Sequence, residues 1–186
     1  MKWNPIFRVN CITHRRDPIF YMLQMPWEND WLAAPVTEAA GLQALRVASV
    51  QPVDILAPVG SCGFWTLIAS IRKRPGEGKN AVAALLSVAE VKLAIVTDDD
   101  IDIHDPDDLD WAMTFRVQAD QDTFILSGAR AMHIDPSVRS REFGKGGLPT
   151  TAKLGIDATI PDGVPKILYR RIRNYASDRI RLEDFQ

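Results

Sequence analysis

Short apolar runs bounded by turn residues indicate the strands of this chain. Pro52–Ala57 and Phe64–Ile71 are rich in Val, Ile and Phe and lie between Pro and Gly residues, which is typical of strands. Lys92–Thr97 is almost continuously apolar, as expected of a central strand buried on both faces of a largely parallel sheet. Thr123–Leu126 predicts a further short strand, and the loose alternation over Ile6–Thr13 predicts one near the beginning.

Helical signals lie between and after these runs. Pro35 suits a first helical turn, and apolar residues at i, i+3 spacing then predict a helix over Pro35–Ala48. The alanine- and leucine-rich stretch after Asn80 predicts a second helix with Asn80 as its cap. Asp105, followed by a proline and further acidic residues, predicts the start of a third. Residues 166–186 combine aliphatic side chains with many arginines and predict an amphipathic C-terminal helix region.

This alternation of strands and helices predicts an α/β fold over a single domain, 1–186. The predicted architecture is a layered domain with a largely parallel or mixed central sheet flanked by helices.

Two stretches have no clean period. Tyr21–Ala34 contains methionines and tryptophans without a repeat, and we expect it to be irregular or a short helix. From Ser127 to Pro165 the chain is rich in Gly, Pro and Ser, and a loop of that length is usually functional or ordered by a partner. We therefore expect 127–165 to be an irregular docking segment.

Composition excludes several partner classes. The chain has 22 Lys+Arg and 24 Asp+Glu, so its net charge of -2 gives no general attraction for nucleic acid or an anionic membrane. No segment reaches the ~20 apolar residues needed to cross a bilayer. Cys11 and Cys62 lie far apart without a metal-ligand spacing, which favours a reducing compartment, and we expect a cytoplasmic protein.

The most concentrated chemistry is an aspartate string between Asp98 and Asp108, which includes His104. Carboxylates after a buried strand suit Mg²⁺ or Ca²⁺, and a metal-dependent hydrolase is one interpretation. The EF-hand glycine and closing glutamate are absent, however, and Asp105 can cap a helix while its neighbours complement the helix dipole. The structural interpretation is therefore favoured, and no metal ligand is assigned.

Cys62, in the turn GSCGFW, is a second candidate, because a cysteine on a tight turn can be a nucleophile. His14, His104 or His133 would have to activate it. A free cysteine is more often a small buried apolar residue, and no catalytic residue is assigned.

Four segments, in order, resemble the UbiD-like carboxy-lyases, the 3-polyprenyl-4-hydroxybenzoate decarboxylase family. They are ITHRRDPI at Ile12–Ile19, VGSCGFW at Val59–Trp65, the aspartate-rich stretch Val91–Asp122, and AKLGIDAT at Ala152–Thr159. The resemblance runs from about Pro5 to Thr159 and is to the C-terminal end of the family only.

The resemblance implies a C-terminal domain that packs on a flavin-binding barrel, helps to form oligomers and supplies a wall of the substrate pocket. Family members use prenylated FMN, with a divalent metal and potassium, to remove or add CO₂ at aromatic or α,β-unsaturated acids. The family's flavin and metal ligands, essential arginine and glutamate pair lie in regions that this chain does not match. No catalytic, cofactor-binding or metal residue is therefore carried over.

Two groups of site residues remain as expectations. A substrate-pocket wall is expected at Ser61, Cys62, Phe64 and Trp65. A subunit interface is expected at Lys153, Asp157, Arg171 and Tyr175.

The expected function is an accessory or C-terminal subunit of a prenylated-flavin-dependent (de)carboxylase, inactive without a flavin-binding barrel chain. The chain is then a subunit of a split enzyme, a stand-alone relative or a fragment, and its partner is that barrel chain or a second copy of itself. The alternative is a non-catalytic oligomerisation or regulatory module derived from the family. A metal-dependent hydrolase using the aspartate string is the weaker third possibility.

Overall fold

A computed structural model describes residues 5–24, 27–132, 134–138, 150–171, 181 and 183. The strands are β1 Pro52–Leu56, β2 Thr66–Ile71, β3 Leu93–Asp98, β4 Thr123–Arg130 and β5 Thr150–Ala158. The helices are α1 Trp27–Val47, α2 Glu77–Leu86, α3 Pro106–Arg116 and α4 Ala119–Asp122, with 3-10 turns at Val59–Ser61 and Lys166–Tyr169. Within these ranges every helix is too short or too polar to cross a bilayer.

The five strands form one sheet in the order β1-β2-β3-β5-β4. The three inner strands are parallel, and both edge strands run antiparallel to their neighbours. The predicted α/β architecture with a mixed sheet is confirmed, and the run Lys92–Thr97 forms the central strand β3. Its apolar residues are buried because helices cover both faces of the sheet there.

Two apolar cores lie on opposite faces of the sheet. On one face α1 and α2 pack on residues such as Leu67 and Val96, both 0% exposed. On the other face α3 and the loop before it pack on Ile68, Ile95 and Ile156. The domain is therefore a three-layer α/β structure, helix–sheet–helix.

Four sequence predictions of element bounds are wrong. Helix α1 begins at Trp27 and contains Pro35, and its early apolar residues Trp31 (67% exposed) and Leu32 (51%) stay in solvent, so no apolar stripe marked its start. Helix α2 begins at Glu77, so Asn80 lies inside it and Gly76 is its N-cap.

The predicted strand Ile6–Thr13 is an exposed coil, because no described strand lies beside it. The predicted irregular segment 127–165 contains the end of β4 and all of β5, which is an inner strand. Of the predicted C-terminal helix region 166–186, the start is a 3-10 turn, and most of the remainder lies outside the described residues.

Candidate functional site

The carboxyl ends of three parallel strands meet at one edge of the sheet. Residues 72–73 follow β2, residues 98–100 end β3, and residues 159–162 follow β5. In open α/β sheets, ligands bind outside these strand ends. This carboxyl edge is therefore the place where the fold offers a site.

Asp98, the last residue of β3, forms a buried ion pair at this edge. Its Oδ2 accepts the N–H of Ile160 at 2.6 Å and lies 3.5 Å from Nη1 of Arg116. Arg116, only 2% exposed, also donates to both carboxylate oxygens of Asp100 at 3.0 and 2.7 Å. Burial raises the pKa of Asp98, although the Ile160 N–H and the positive charges of Lys73 and Arg116 oppose the shift. The guanidinium thus joins the end of α3 to the end of β3.

A cavity of about 690 Å³ lies beside this network, between α3 and the segment after β5. The Trp111 ring lies in its wall, with the guanidinium carbons of Arg116 and Arg171 at 5.2 and 5.4 Å from the ring centroid. Arg171 also donates to the Asp107 carbonyl at 2.8 Å and pairs with Asp108 at 2.7 Å. The Arg171 guanidinium therefore holds the segment after β5 against α3. Tyr175, which was also predicted to lie in the interface, is outside the described residues.

The remaining aspartates of the string mainly bind backbone. Asp105 caps α3, its side chain accepting the N–H of Asp107 at 3.0 Å, and the predicted cap is confirmed. Asp102 accepts the N–H of His104 at 2.9 Å, and Asp108 accepts the N–H of Asp102 at 2.7 Å. Within the described ranges, no three His, Cys, Asp or Glu side chains converge in a way that could hold a metal ion.

Side chains of strand β5 contact both ends of helix α2. Lys153 is 4% exposed, and its Nζ donates to three carbonyl oxygens in residues 86–89, at 2.7, 2.8 and 3.2 Å. Burial lowers the pKa of Lys153. Four residues on, Asp157 is 9% exposed and packs against Gly78 in the first turn of α2. Lys153 and Asp157 thus bind groups within the domain, and their place in a subunit interface stays a prediction.

If this edge bound a flavin, its phosphate would be expected at the N-terminus of α2, because α/β folds bind phosphate at helix N-termini. Asp157 lies so close to Gly78 that a Cβ there would be 2.2 Å from its Oδ2. Asp162 accepts the N–H of Gly76 at 2.7 Å, and the side chain of Glu77 folds back on the preceding turn. Three carboxylates of the chain itself already lie at this helix end. Because Asp162 already occupies the Gly76 N–H and Asp157 fills the space beside Gly78, the described residues leave no phosphate cradle for the flavin at this position.

The four residues expected to form a pocket wall lie together in the turn between β1 and β2. Ser61 ends the 3-10 turn, and Cys62 follows in a left-handed conformation with φ of 58°. Phe64 and Trp65 contact edge to face with ring centroids 5.0 Å apart. All four are half-buried, so the turn presents a partly exposed aromatic surface.

The geometry does not activate Cys62. Burial raises the pKa of its thiol, and the charge of a nearby carboxylate raises it further. His14 bonds to the backbone of its own loop, and His104 pairs with Asp54 at 2.9 Å. His133 lies outside the described residues.

Sequence reasoning gave no role to Arg116 or Lys73. Arg116 occupies the last turn of α3, where a cation normally complements the helix dipole at the surface. Lys73 pairs with Asp162 at 2.9 Å and donates to the Ile160 carbonyl. The sequence signal for both was indirect. The string from Asp98 contains more aspartates than are needed to cap a helix, and a buried carboxylate needs a cation as a partner.

Comparison with known proteins shows which family this architecture belongs to. The sequence profile of the 3-octaprenyl-4-hydroxybenzoate carboxy-lyase C-terminal domain matches residues 30–158. The anhydromevalonate phosphate decarboxylase of Methanocaldococcus jannaschii is 35% identical over 160 residues, covering 84% of this chain and 36% of the relative. The gallate decarboxylase of Lactiplantibacillus plantarum is 35% identical over 167 residues, covering 84% of this chain and 34% of the relative.

A solved structure shows the same likeness. The UbiD-class enzyme HmfF from Pelotomaculum thermopropionicum, in complex with FMN, superimposes with a TM-score of 0.74 at 34% identity, covering 86% of this chain and 34% of that one. This chain thus spans about a third of the length of these relatives.

Proposed function

Because the chain belongs to the family of 3-octaprenyl-4-hydroxybenzoate carboxy-lyase C-terminal domains, we propose that it serves as the C-terminal or accessory part of a UbiD-like (de)carboxylase. That enzyme depends on prenylated flavin, acts on aromatic or α,β-unsaturated acids and works in the cytoplasm. The flavin-binding portion, on the same polypeptide or on another, completes the active site.

One observation carries the proposal: the buried charged side chains at the carboxyl edge bind other groups of the chain itself. Asp98, Arg116 and Asp157 are at most 9% exposed, and their charges are directed at other groups of the chain. In a fold of this kind with an independent active site, charged side chains at this edge would be available to bind a ligand. The chain spans only 36% of the M. jannaschii enzyme, which leaves ample further polypeptide for the chemistry.

The cofactor belongs to the remaining portion in this proposal. Prenylated FMN, with a divalent metal and potassium, is bound there, and the turn with Ser61, Cys62, Phe64 and Trp65 contributes a wall of the substrate pocket. The half-buried aromatic pair suits contact with a planar or unsaturated acid.

The test compares the chain alone with its native assembly. The chain, tagged at its C-terminus, is purified from its source cells together with whatever is bound to it. Flavin absorbance and CO₂ release from a panel of aromatic and acrylic acids are then measured. We expect flavin and decarboxylation in the assembly and neither in the isolated chain.

Two outcomes contradict the proposal. Stoichiometric flavin binding by the isolated chain would show that this chain carries a flavin site of its own. An assembly that contains no flavin would instead favour a non-catalytic oligomerisation or regulatory module.

A further inference from the structure

The cavity between α3 and the segment after β5 has the size of a small-molecule site. Its volume is about 690 Å³, within the range of roughly 300–1,000 Å³ that is usual for such sites. Ile101 and Trp111 line it from α3 and the loop before α3, and Ile167 and Tyr169 line it from the 3-10 turn after β5. A ligand in the cavity would therefore contact apolar and aromatic side chains from two separate elements.

The charged side chains of the wall leave a single positive charge without a partner. Three arginines and two aspartates line the cavity. Arg116 donates to both carboxylate oxygens of Asp100, and Arg171 pairs with Asp108 at 2.7 Å. The fifth charge is the exposed guanidinium of Arg170, which bonds to no side chain or carbonyl in the part of the chain that the structure describes.

A second hydrogen-bond donor lies next to this guanidinium in the chain. Tyr169 is half-buried, and its hydroxyl likewise has no bond to a described residue. A carboxylate accepts hydrogen bonds from hydroxyl and guanidinium groups, and those from a guanidinium are strengthened by its charge. The wall thus offers one cation and two donors to an anionic head group, and apolar surface to the remainder of a ligand.

We propose that this cavity binds a small organic monocarboxylate, with its carboxylate at Tyr169 and Arg170 and its apolar or aromatic body against Ile101, Trp111 and Ile167. The site binds and does not catalyse, because the other charged groups of the wall are already bound to one another. The inference does not depend on the proposed function, since this chain contains every residue that the site uses.

The cavity and the turn predicted to be a pocket wall lie at opposite edges of the sheet. The turn, 61–65, precedes β2, whose first residue pairs with the first residue of β3, so it lies at the amino edge. The cavity is lined by Asp100 and Ile101, which follow the end of β3. The proposed carboxylate site therefore differs from the turn to which the sequence assigned a ligand contact.

Other ligands suit this wall less well. A metal cation or an amine needs a free carboxylate, and both carboxylates of the wall are bound to guanidinium groups. A phosphate monoester or a nucleotide would bring two or more negative charges to a surplus of one positive charge. An inorganic anion has no apolar body to cover the isoleucine and tryptophan side chains.

Isothermal titration calorimetry of the full chain with benzoate tests the binding. We expect a dissociation constant on the order of 1 mM, which is usual for a ligand of so few atoms. Acetate has the same head group without the ring, and benzylamine has the ring with the opposite charge. Both should bind about tenfold more weakly than benzoate, or less tightly still. Equal binding of benzylamine, or no binding of benzoate at millimolar concentration, would overturn the proposal.

Two variants that each remove one positive charge test the position of the head group. Arg170→Ala should weaken benzoate binding about tenfold, because it removes a charge-assisted hydrogen bond. Lys166→Ala is the matched control, since Lys166 lies in the same turn but off the wall and pairs with Asp99 at 3.6 Å. The control should change the dissociation constant by less than about twofold, because an exposed charge away from the site is screened. Equal weakening by both variants would indicate general attraction of anions, and the proposed site would then be wrong.

Nuclear magnetic resonance locates the ligand through the indole N–H signals of the tryptophans. Trp111→Phe identifies the Trp111 signal by its loss. We expect benzoate to shift that signal in the wild-type chain, with saturation at the calorimetric dissociation constant, and to shift it much less in Arg170→Ala. A shift confined to the signal of Trp65 would place the ligand at the amino edge of the sheet and overturn the inference.

Discussion

The carboxyl edge and the N-terminal arm, residues 5–24, differ in which side chains they bury and which they expose. At the edge, charged side chains such as Asp98 and Arg116 are almost fully buried and bind one another. In the arm, apolar side chains such as Ile6, 98% exposed, contact solvent. The charges at the carboxyl edge are paired within the chain, whereas the apolar side chains of the arm are not buried by any described residue. The contrast agrees with the proposal that the chain acts together with further polypeptide.

Breaking the buried pair should have the largest effect. Arg116→Ala leaves Asp98 buried without its guanidinium partner, and removing one partner of a buried pair costs about 3–5 kcal/mol. The matched control is Arg171→Ala, because Arg171 contacts the same Trp111 ring but its side chain is 34% exposed. The control should cost about 1 kcal/mol or less. Urea unfolding of the isolated chain measures both, and equal losses would show that burial of Arg116 adds nothing.

The next effect tests the packing of β5 on α2. A Cβ at Gly155 would lie 2.4 Å from Cγ1 of Val82 and 3.0 Å from Cζ of Phe124. Gly155→Ala should therefore cost about 1–3 kcal/mol, as overpacked cores do. Gly60→Ala is the control, since a Cβ there meets nothing within 4 Å. If both variants unfold at the wild-type urea concentration, strand and helix are not held as closely as described.

The same strand shows where sequence reasoning stopped. Thr150–Ala158 was predicted to be part of an irregular segment, because Lys153, Gly155 and Asp157 interrupt the apolar pattern of a buried strand. Each interruption has a tertiary cause. The lysine binds carbonyl groups at the end of α2, the glycine leaves room for side chains from the middle of α2, and the aspartate packs against the first turn of α2. Such causes become visible only when α2 is placed on the sheet.

Two predictions with local causes were confirmed. Strand β3 follows from an unbroken apolar run, and the cap at Asp105 follows from its immediate neighbours. For the candidate site, sequence grouped the aspartates correctly but not their cations, because Arg116 lies 18 residues from Asp98. The turn with Ser61 and Trp65 was also grouped correctly, while its role as a pocket wall stays a prediction.

A smaller effect separates capping from metal binding in the aspartate string. Asp105→Ala should lower the free energy of unfolding by about 1 kcal/mol, since it removes the acceptor for the Asp107 N–H. Asp110→Ala, at an exposed helical position, is the control and should change it by less than ~0.5 kcal/mol. Neither Mg²⁺ nor Ca²⁺ should raise the melting temperature of the wild type. A rise of several degrees with either ion would favour the metal interpretation.

The smallest effect is expected in the arm, and it completes the comparison. Phe7 is 84% exposed and packs on nothing that unfolding would expose, so Phe7→Ser should change the free energy of unfolding of the isolated chain by less than ~0.5 kcal/mol. Leu67→Ala, at a residue 0% exposed in the core, should cost about 2–5 kcal/mol under the same conditions. Chemical denaturation of the two variants measures the difference. A loss of 1 kcal/mol or more from Phe7→Ser would mean that the arm already packs on its own domain. The arm would then have no free apolar surface to offer a partner, because its side chains would be stabilising the domain that carries them.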